Sequence, residues 1–197
     1  MVLANFILMC STLLQPWYRY GVDTTAYINQ AGQFWSGQTL YEDITSLQGP
    51  CFYPAGHLWH YVPIYIMFKS TDDALKYLKI IHACLHTGIV FVVAKIAFKY
   101  FKNAPQKAQI SVFMMLCNQQ ARKTNQELFN DSFLMLYLVL CLYFIMSNRY
   151  KLAALTATLS LSIKAGALLV LPVVLGWTQY HHGTLATFVS VSIIFGF

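Results

Sequence analysis

The sequence predicts an all-α integral membrane protein: a polytopic helical bundle with one large loop after its first helix. Three observations carry this. Of 197 residues, 57% are hydrophobic and only 10% charged, whereas a soluble domain carries about 25% charged residues, so too little polar surface is left to cover a core. Successive apolar runs, strongest at 77–98 and 132–147, approach or reach the length a helix needs to cross a bilayer. The bases sit at the ends of these runs, as juxtamembrane anchors do, and form no stripe. The net charge of +6 therefore implies no nucleic-acid partner.

The elements follow in order. Residues 2–15 form a first transmembrane helix beginning near Met1; 2–14 resemble a signal-peptide core but lack a basic leader and a clear cleavage site. Pro16, Trp17 and Tyr18 make an interfacial aromatic cluster. Residues 16–56 are a long polar loop holding Asp23, Glu42 and Asp43 and the turn-rich Gly49-Pro50 and Tyr53-Pro54-Ala55-Gly56. A loop of this length is unusual unless functional, and Tyr27–Trp35 within it suits a short amphipathic helix. Residues 57–68 are apolar but too short to span and are placed half-inserted on the loop's side. A span at 77–98 ends in Lys99, Lys102 and Lys107 around Pro105. A short span at 108–117 leads to a polar stretch, 118–131, and a span at 132–147 precedes Arg149 and Lys151. The apolar stretch 152–178 is interrupted by Lys164-Ala165-Gly166, giving either two short helices at a break or one long helix with a buried charge. A last apolar stretch, 185–197, stops at Phe197 with no polar exit, so the sequence is expected to be a fragment.

With Met1 on the cytoplasmic side, the connections 99–107 and 148–151 are cytoplasmic and hold five bases (Lys99, Lys102, Lys107, Arg149, Lys151) and no acid, as the positive-inside rule requires. All seven acids (Asp23, Glu42, Asp43, Asp72, Asp73, Glu127, Asp131) fall on the opposite side. Carboxylate chemistry belongs there.

Several residues could carry chemistry. Asp23 lies just beyond the first helix; it can act as an acid or base, or cap a helix beginning near Thr24-Thr25. Lys164 is the one charge in a 27-residue apolar stretch, and such charges mark substrate paths or snorkel to the interface. Asn130 and Asp131 can hold substrate or a divalent ion, or cap the span at Ser132. His57 and His60, and His82 and His86, share helix faces at i, i+3 and i, i+4, but no carboxylate sits beside either pair. Buried polar packing is the simpler role, and no metal site is assigned. Arg122 and Lys123 suit a phosphate or plain solvation, and His181-His182 an interface. The five cysteines show no C-x-x-C spacing and indicate neither a disulfide framework nor zinc.

Three sequence elements occur together: an acid in Gly21-Val22-Asp23-Thr24, Gly49-Pro50-Cys51-Phe52-Tyr53-Pro54-Ala55-Gly56, and Leu128-Phe129-Asn130-Asp131, with Ser162-Ile163-Lys164 and the run Leu168 to Pro172 beyond them. In this order they resemble the dolichyl-phosphate-mannose-dependent α-1,3-mannosyltransferase family of asparagine-linked glycosylation, of GT-C type, over about the first half of the family's length. Departures stand at Gly21-Val22-Asp23-Thr24 (usually Glu-Ile-Asp-Trp), Leu47-Gln48 (Asp-Thr), Glu127 (arginine) and Ala165-Gly166 (Met-Asn).

The resemblance implies a GT-C-like fold in the endoplasmic reticulum membrane, multi-pass, with residues 16–56 lumenal. It implies a dolichyl-phosphate-mannose donor, a lipid-linked oligosaccharide acceptor, contact with membrane lipid, and no certain cofactor, a divalent cation remaining open. Transfer from a β-linked donor to an α-linkage inverts the anomeric centre and needs a base on the acceptor hydroxyl. Asp23 is then the catalytic residue, with Tyr53, Asn130, Asp131 and Lys164 as substrate-binding residues, Tyr53 for sugar stacking and Lys164 for the donor phosphate. Other readings are a different polyprenyl-phosphate-sugar transferase, an inactive scaffold, or a transporter fragment with Lys164 at a midplane site; no internal repeat favours the last.

Overall fold

The computed structural model describes residues 2–15, 21–68 and 71–196. The expected Pro16-Trp17-Tyr18 cluster lies outside them. The described chain is nearly all-α: α1 (Val2–Leu13), α2 (Asp23–Trp35), α3 (Ala55–Phe68), α4 (Thr71–Tyr100), α5 (Pro105–Cys117), α6 (Gln119–Gln126), α7 (Asp131–Met146), α8 (Tyr150–Ile163) and α9 (Leu171–Phe195). A two-residue antiparallel pair, β1 (Thr45–Ser46) with β2 (Gly49–Pro50), interrupts the loop between α2 and α3, and a 3-10 turn, Ala165–Val170, follows α8.

Among the described residues one helix, Asp72–Tyr100, is long and apolar enough to cross a membrane. The apolar α1, α7 and α8 have 12, 16 and 14 residues. At 1.5 Å per residue they reach about 18–24 Å, short of a hydrocarbon core of about 30 Å. The all-α expectation therefore holds, and one described helix reaches full spanning length.

Contacts divide the chain into two compact units, Met1–Thr87 with Asn118–Ser132 and Gly88–Cys117 with Phe133–Phe197. In the first, α2 packs on α3 largely through aromatic rings. Tyr27 meets Tyr61 at 5.3 Å, Phe34 meets the Trp59 ring edge-on at 5.2 Å, and the Tyr65 ring lies directly on Gly32. Below the β-pair a small core of Ile44, Cys51 and Leu58 anchors the loop, flanked by Phe34 and Tyr53. Asn5 of α1 donates to His86 of α4 at 3.0 Å, both side chains buried, so His86 is committed to joining two helices.

In the second unit α8 presents Ala153, Ala154 and Ala157 to Leu171, Val174 and Ile194 of α9, with Cys141 of α7 beside them. Small residues allow such close helix approach. Lys164 ends α8 in an extended conformation (φ −145°, ψ 134°), so the apolar stretch is two helices meeting at a break rather than one helix carrying a buried charge. The expected separate stretch at 185–197 is, as far as Phe195, the second part of α9, set off from the first by non-helical Gly183 (φ 78°, ψ −178°).

Candidate active site

The site lies in the first unit and starts at the first turn of α2. Val22 occupies the N-cap without a side-chain cap bond, and Asp23 is the first helical residue. Its carboxylate is thus not used in capping, and it stands where the helix dipole favours negative charge. Asp23, Tyr27 and Gln30, at i, i+4 and i+7, fall on one helix face. With Ser46, Gly49 and Tyr53 they line a cavity of about 230 Å³.

Two contacts fix the height of Asp23. The Glu127 carbonyl accepts from the Gly21 amide at 3.1 Å and from the Thr24 hydroxyl at 3.0 Å, so the residues flanking the acid are tied to the segment that begins Leu128-Phe129-Asn130-Asp131. Gly21 is required for this approach: a Cβ there would lie 2.6 Å from the Phe129 ring and 3.2 Å from the Glu127 carbonyl. Leu128 holds the turn with a left-handed φ of 59° and a fully buried side chain.

The floor of the cavity is aromatic. Tyr27 is 3% exposed, and its phenol shares a hydrogen bond with Tyr53. Burial first, then that bond and the neighbouring Tyr53, Tyr61 and Asp23, push the Tyr27 phenol far above the ordinary tyrosine range, so it stays a neutral hydroxyl. His57, fully buried, packs on Tyr27 at 4.7 Å and Tyr53 at 4.6 Å between ring centroids. Its Nδ1 meets the Asn130 amide nitrogen at 3.0 Å.

The opposite wall is the β-turn. Gly49 adopts φ 109°, open to glycine, and its carbonyl accepts from Ser46 Oγ at 3.0 Å. The Cys51 amide then bonds the Ile44 carbonyl at 2.8 Å. Gly49 to Gly56 thereby closes the turn, presents Tyr53, and starts α3.

Of the residues expected from sequence, Asp23 and Tyr53 meet in the cavity. Asn130 is fully buried beneath it and reaches it through His57. Asp131 opens α7, within electrostatic reach of Tyr61. Lys164 belongs to the second unit. Among the described residues no three His, Cys, Asp or Glu side chains gather to hold a metal ion. His57 turns to Asn130 while His60 turns to the Gly56 carbonyl. Tyr27, Gln30 and His57 were not singled out by the sequence for this site. The i, i+4, i+7 register from Asp23 was the available signal for the first two.

A lone carboxylate beside a neutral phenol, an amide and backbone carbonyls suits a hydroxylated, uncharged substrate, one of whose hydroxyls Asp23 can deprotonate. The class this defines is a helical protein with an acid-lined cavity on its first loop. The chain belongs to the ALG3 protein family, whose family model matches residues 1–197.

Its curated relatives include a Dol-P-Man:Man(5)GlcNAc(2)-PP-Dol alpha-1,3-mannosyltransferase of Neurospora crassa, 27% identical over 85% of this chain and 37% of the relative. A protein named for the same activity in Kluyveromyces lactis is 29% identical over 78% of this chain and 34% of its own length. One named as a probable such enzyme in Dictyostelium discoideum is 26% identical over 78% and 40%. The chain thus spans well under half the length of the relatives it matches. No solved structure matches it.

Proposed function

We propose that this chain carries the acceptor-activating part of a mannosyltransferase that moves mannose from dolichyl-phosphate-mannose to a dolichyl-diphosphate-linked oligosaccharide, forming an α-1,3 linkage in the lumen of the endoplasmic reticulum. The observation that carries the reading is the half-buried carboxylate of Asp23, unused in capping, opening onto a cavity walled by Gly49 to Tyr53 and fixed in height by the Glu127 carbonyl.

In this reading Asp23 takes the proton of the acceptor hydroxyl as that oxygen attacks the anomeric carbon. The carbon–phosphate-oxygen bond breaks on the opposite face, and dolichyl phosphate departs as an anion that needs no proton. Tyr53 lines the sugar position, and Tyr27, held neutral and bonded to Tyr53, braces it. Asn130 acts from below, setting His57 against both tyrosines. Asp131 begins α7 beside this layer and helps fix it. Lys164, at the break after α8, is assigned to the donor phosphate. The protein is multi-pass, with α1, α4, α5, α7, α8 and α9 in the membrane and α2, the β-pair and α3 on the lumenal side; the shorter helices cross where the bilayer thins locally around them.

The test is sugar transfer in microsomes carrying the protein from its full reading frame. Asp23→Asn and Asp23→Ala are each expected to lose about 10²–10⁴-fold in rate, the usual contribution of a general base, while membrane insertion stays intact. Wild-type transfer rates in both variants would overturn the assignment.

A further inference from the structure

We infer that a second cavity is a binding subsite for uncharged sugar rings, with the Tyr65 ring as its platform. It shares Ser46 with the cavity of Asp23 and has a volume of about 490 Å³ against about 230 Å³. This places it within the roughly 300–1,000 Å³ usual for ligand sites. The inference deepens the transferase reading and rests on it for the identity of the ligand: the rings would be those of the acceptor oligosaccharide beyond the one presented to Asp23.

The lining mixes polar side chains with an aromatic ring and carries no charge: Asn29, Gln33, Ser36, Gln38 and Thr45 surround Tyr65. An anionic or cationic ligand would find no counter-charge there. A neutral polyol would find amides and hydroxyls that both donate and accept. The wall is also rigid. Gln33 bonds the Thr45 carbonyl at 2.7 Å and accepts from the Thr45 amide at 2.9 Å, which pins α2 to β1 and leaves one N–H and one lone pair of its amide for a ligand. Ser36 donates to the Gly32 carbonyl at 2.9 Å and keeps its lone pairs.

Tyr65 supplies what hydrogen bonds cannot, a flat surface for the C–H face of a pyranose. Its ring is seated on Gly32 so closely that a Cβ there would lie 2.6 Å from Cε2 and 2.8 Å from Cζ. Glycine in the interior of a helix is unfavourable relative to alanine, and here it is what lets the ring approach α2 so closely. Because Ser46 borders both cavities, one glycan can cross it, with its reacting ring at Asp23 and its next rings on Tyr65.

Binding can be read without catalysis. Saturation-transfer NMR with the free, uncharged oligosaccharide Man5GlcNAc2 on the detergent-solubilised protein is expected to show transfer to sugar protons. Tyr65→Ala and Gly32→Ala should lose most of it, Tyr65→Phe should retain it, and Asp23→Asn should leave the cleft signal in place. Gln38→Ala, on the exposed rim, should weaken it without any risk to folding. In the transferase assay Tyr65→Ala should raise the acceptor KM about tenfold or more, the scale of aromatic ring stacking, with the donor KM unchanged.

Wild-type NMR signals in Tyr65→Ala or, should that variant misfold, in Gln38→Ala would overturn the subsite. So would a wild-type protein that shows no saturation transfer. An NMR pattern as expected from a protein that transfers no mannose would sink the transferase reading and leave the subsite standing.

Discussion

The tie between Gly21 and the Glu127–Phe129 turn can be broken with a single methyl group. In Gly21→Ala the new Cβ would stand 2.6 Å and 3.1 Å from two carbons of the Phe129 ring and 3.2 Å from the Glu127 carbonyl oxygen. The half-buried ring can yield, but the carbonyl is backbone and already receives the Gly21 amide at 3.1 Å and the Thr24 hydroxyl at 3.0 Å. Overpacking of this kind costs about 1–3 kcal/mol. In a chain of this size each kcal/mol lowers Tm by about 2–4 °C, so a drop of about 2–12 °C is expected in detergent. Because the displaced residues flank Asp23, transfer activity should fall as well. Phe129→Leu in the same chain removes the ring edge and should recover about 1 kcal/mol or more, a coupling within the range for residues in contact. An unchanged Tm in Gly21→Ala, or a loss that Phe129→Leu does not relieve, would refute the reasoning.

Other outcomes follow from the same layer. The Tyr27 phenol is raised in the folded protein, so its contribution is complete below the unfolded value of about 10 and is lost as pH rises above it, at about 1.4 kcal/mol per pH unit. Thermal melts above pH 10 should therefore decline more steeply in wild type than in Tyr27→Phe, and parallel declines would contradict the burial of that hydroxyl. Asn130→Ala removes the partner at 3.0 Å from buried His57 and should cost about 1–3 kcal/mol, read as a lower Tm; no change would mean that the bond bears no weight. In α9, Gly183 sits at φ 78°, ψ −178°, and a Cβ added there would meet no atom within 4 Å, so Gly183→Ala should cost about 1–3 kcal/mol from the backbone alone. Gly176→Ala, in regular helix with equal space, should be neutral or stabilising, and equal melts for the two variants would contradict the bend.

The all-α class was legible because composition and apolar runs report it directly. The lengths of the individual helices were not. The break at Lys164 was legible as a charge interrupting an apolar run, whereas the bend at Gly183 rests on local backbone geometry that a hydropathy reading passes over. Asp23 and Tyr53, which line one cavity, were legible as candidates because the sequence marks them with an acid at the edge of a span and a turn-rich run. Asn130 and Asp131 were legible as a motif but not as a layer. Nothing in Leu128-Phe129-Asn130-Asp131 says that the amide faces a histidine 73 residues away. His57 was read beside His60 because they are near in sequence, whereas the fold sends the two rings to different partners. Gly21 and Gly32 are silent in a sequence; each matters through the aromatic ring that lies on it.

The oxygen that receives both Gly21 and Thr24 belongs to the main chain of residue 127 and not to its side chain. Any amino acid at that position offers the same acceptor, so the alignment of Asp23 is insulated from what evolution writes there. A glutamate at 127, where the resembling family tends to carry arginine, leaves this support untouched. Substitutions at 127 should accordingly be silent for the acid's placement, while any side chain at the glycine opposite disturbs it.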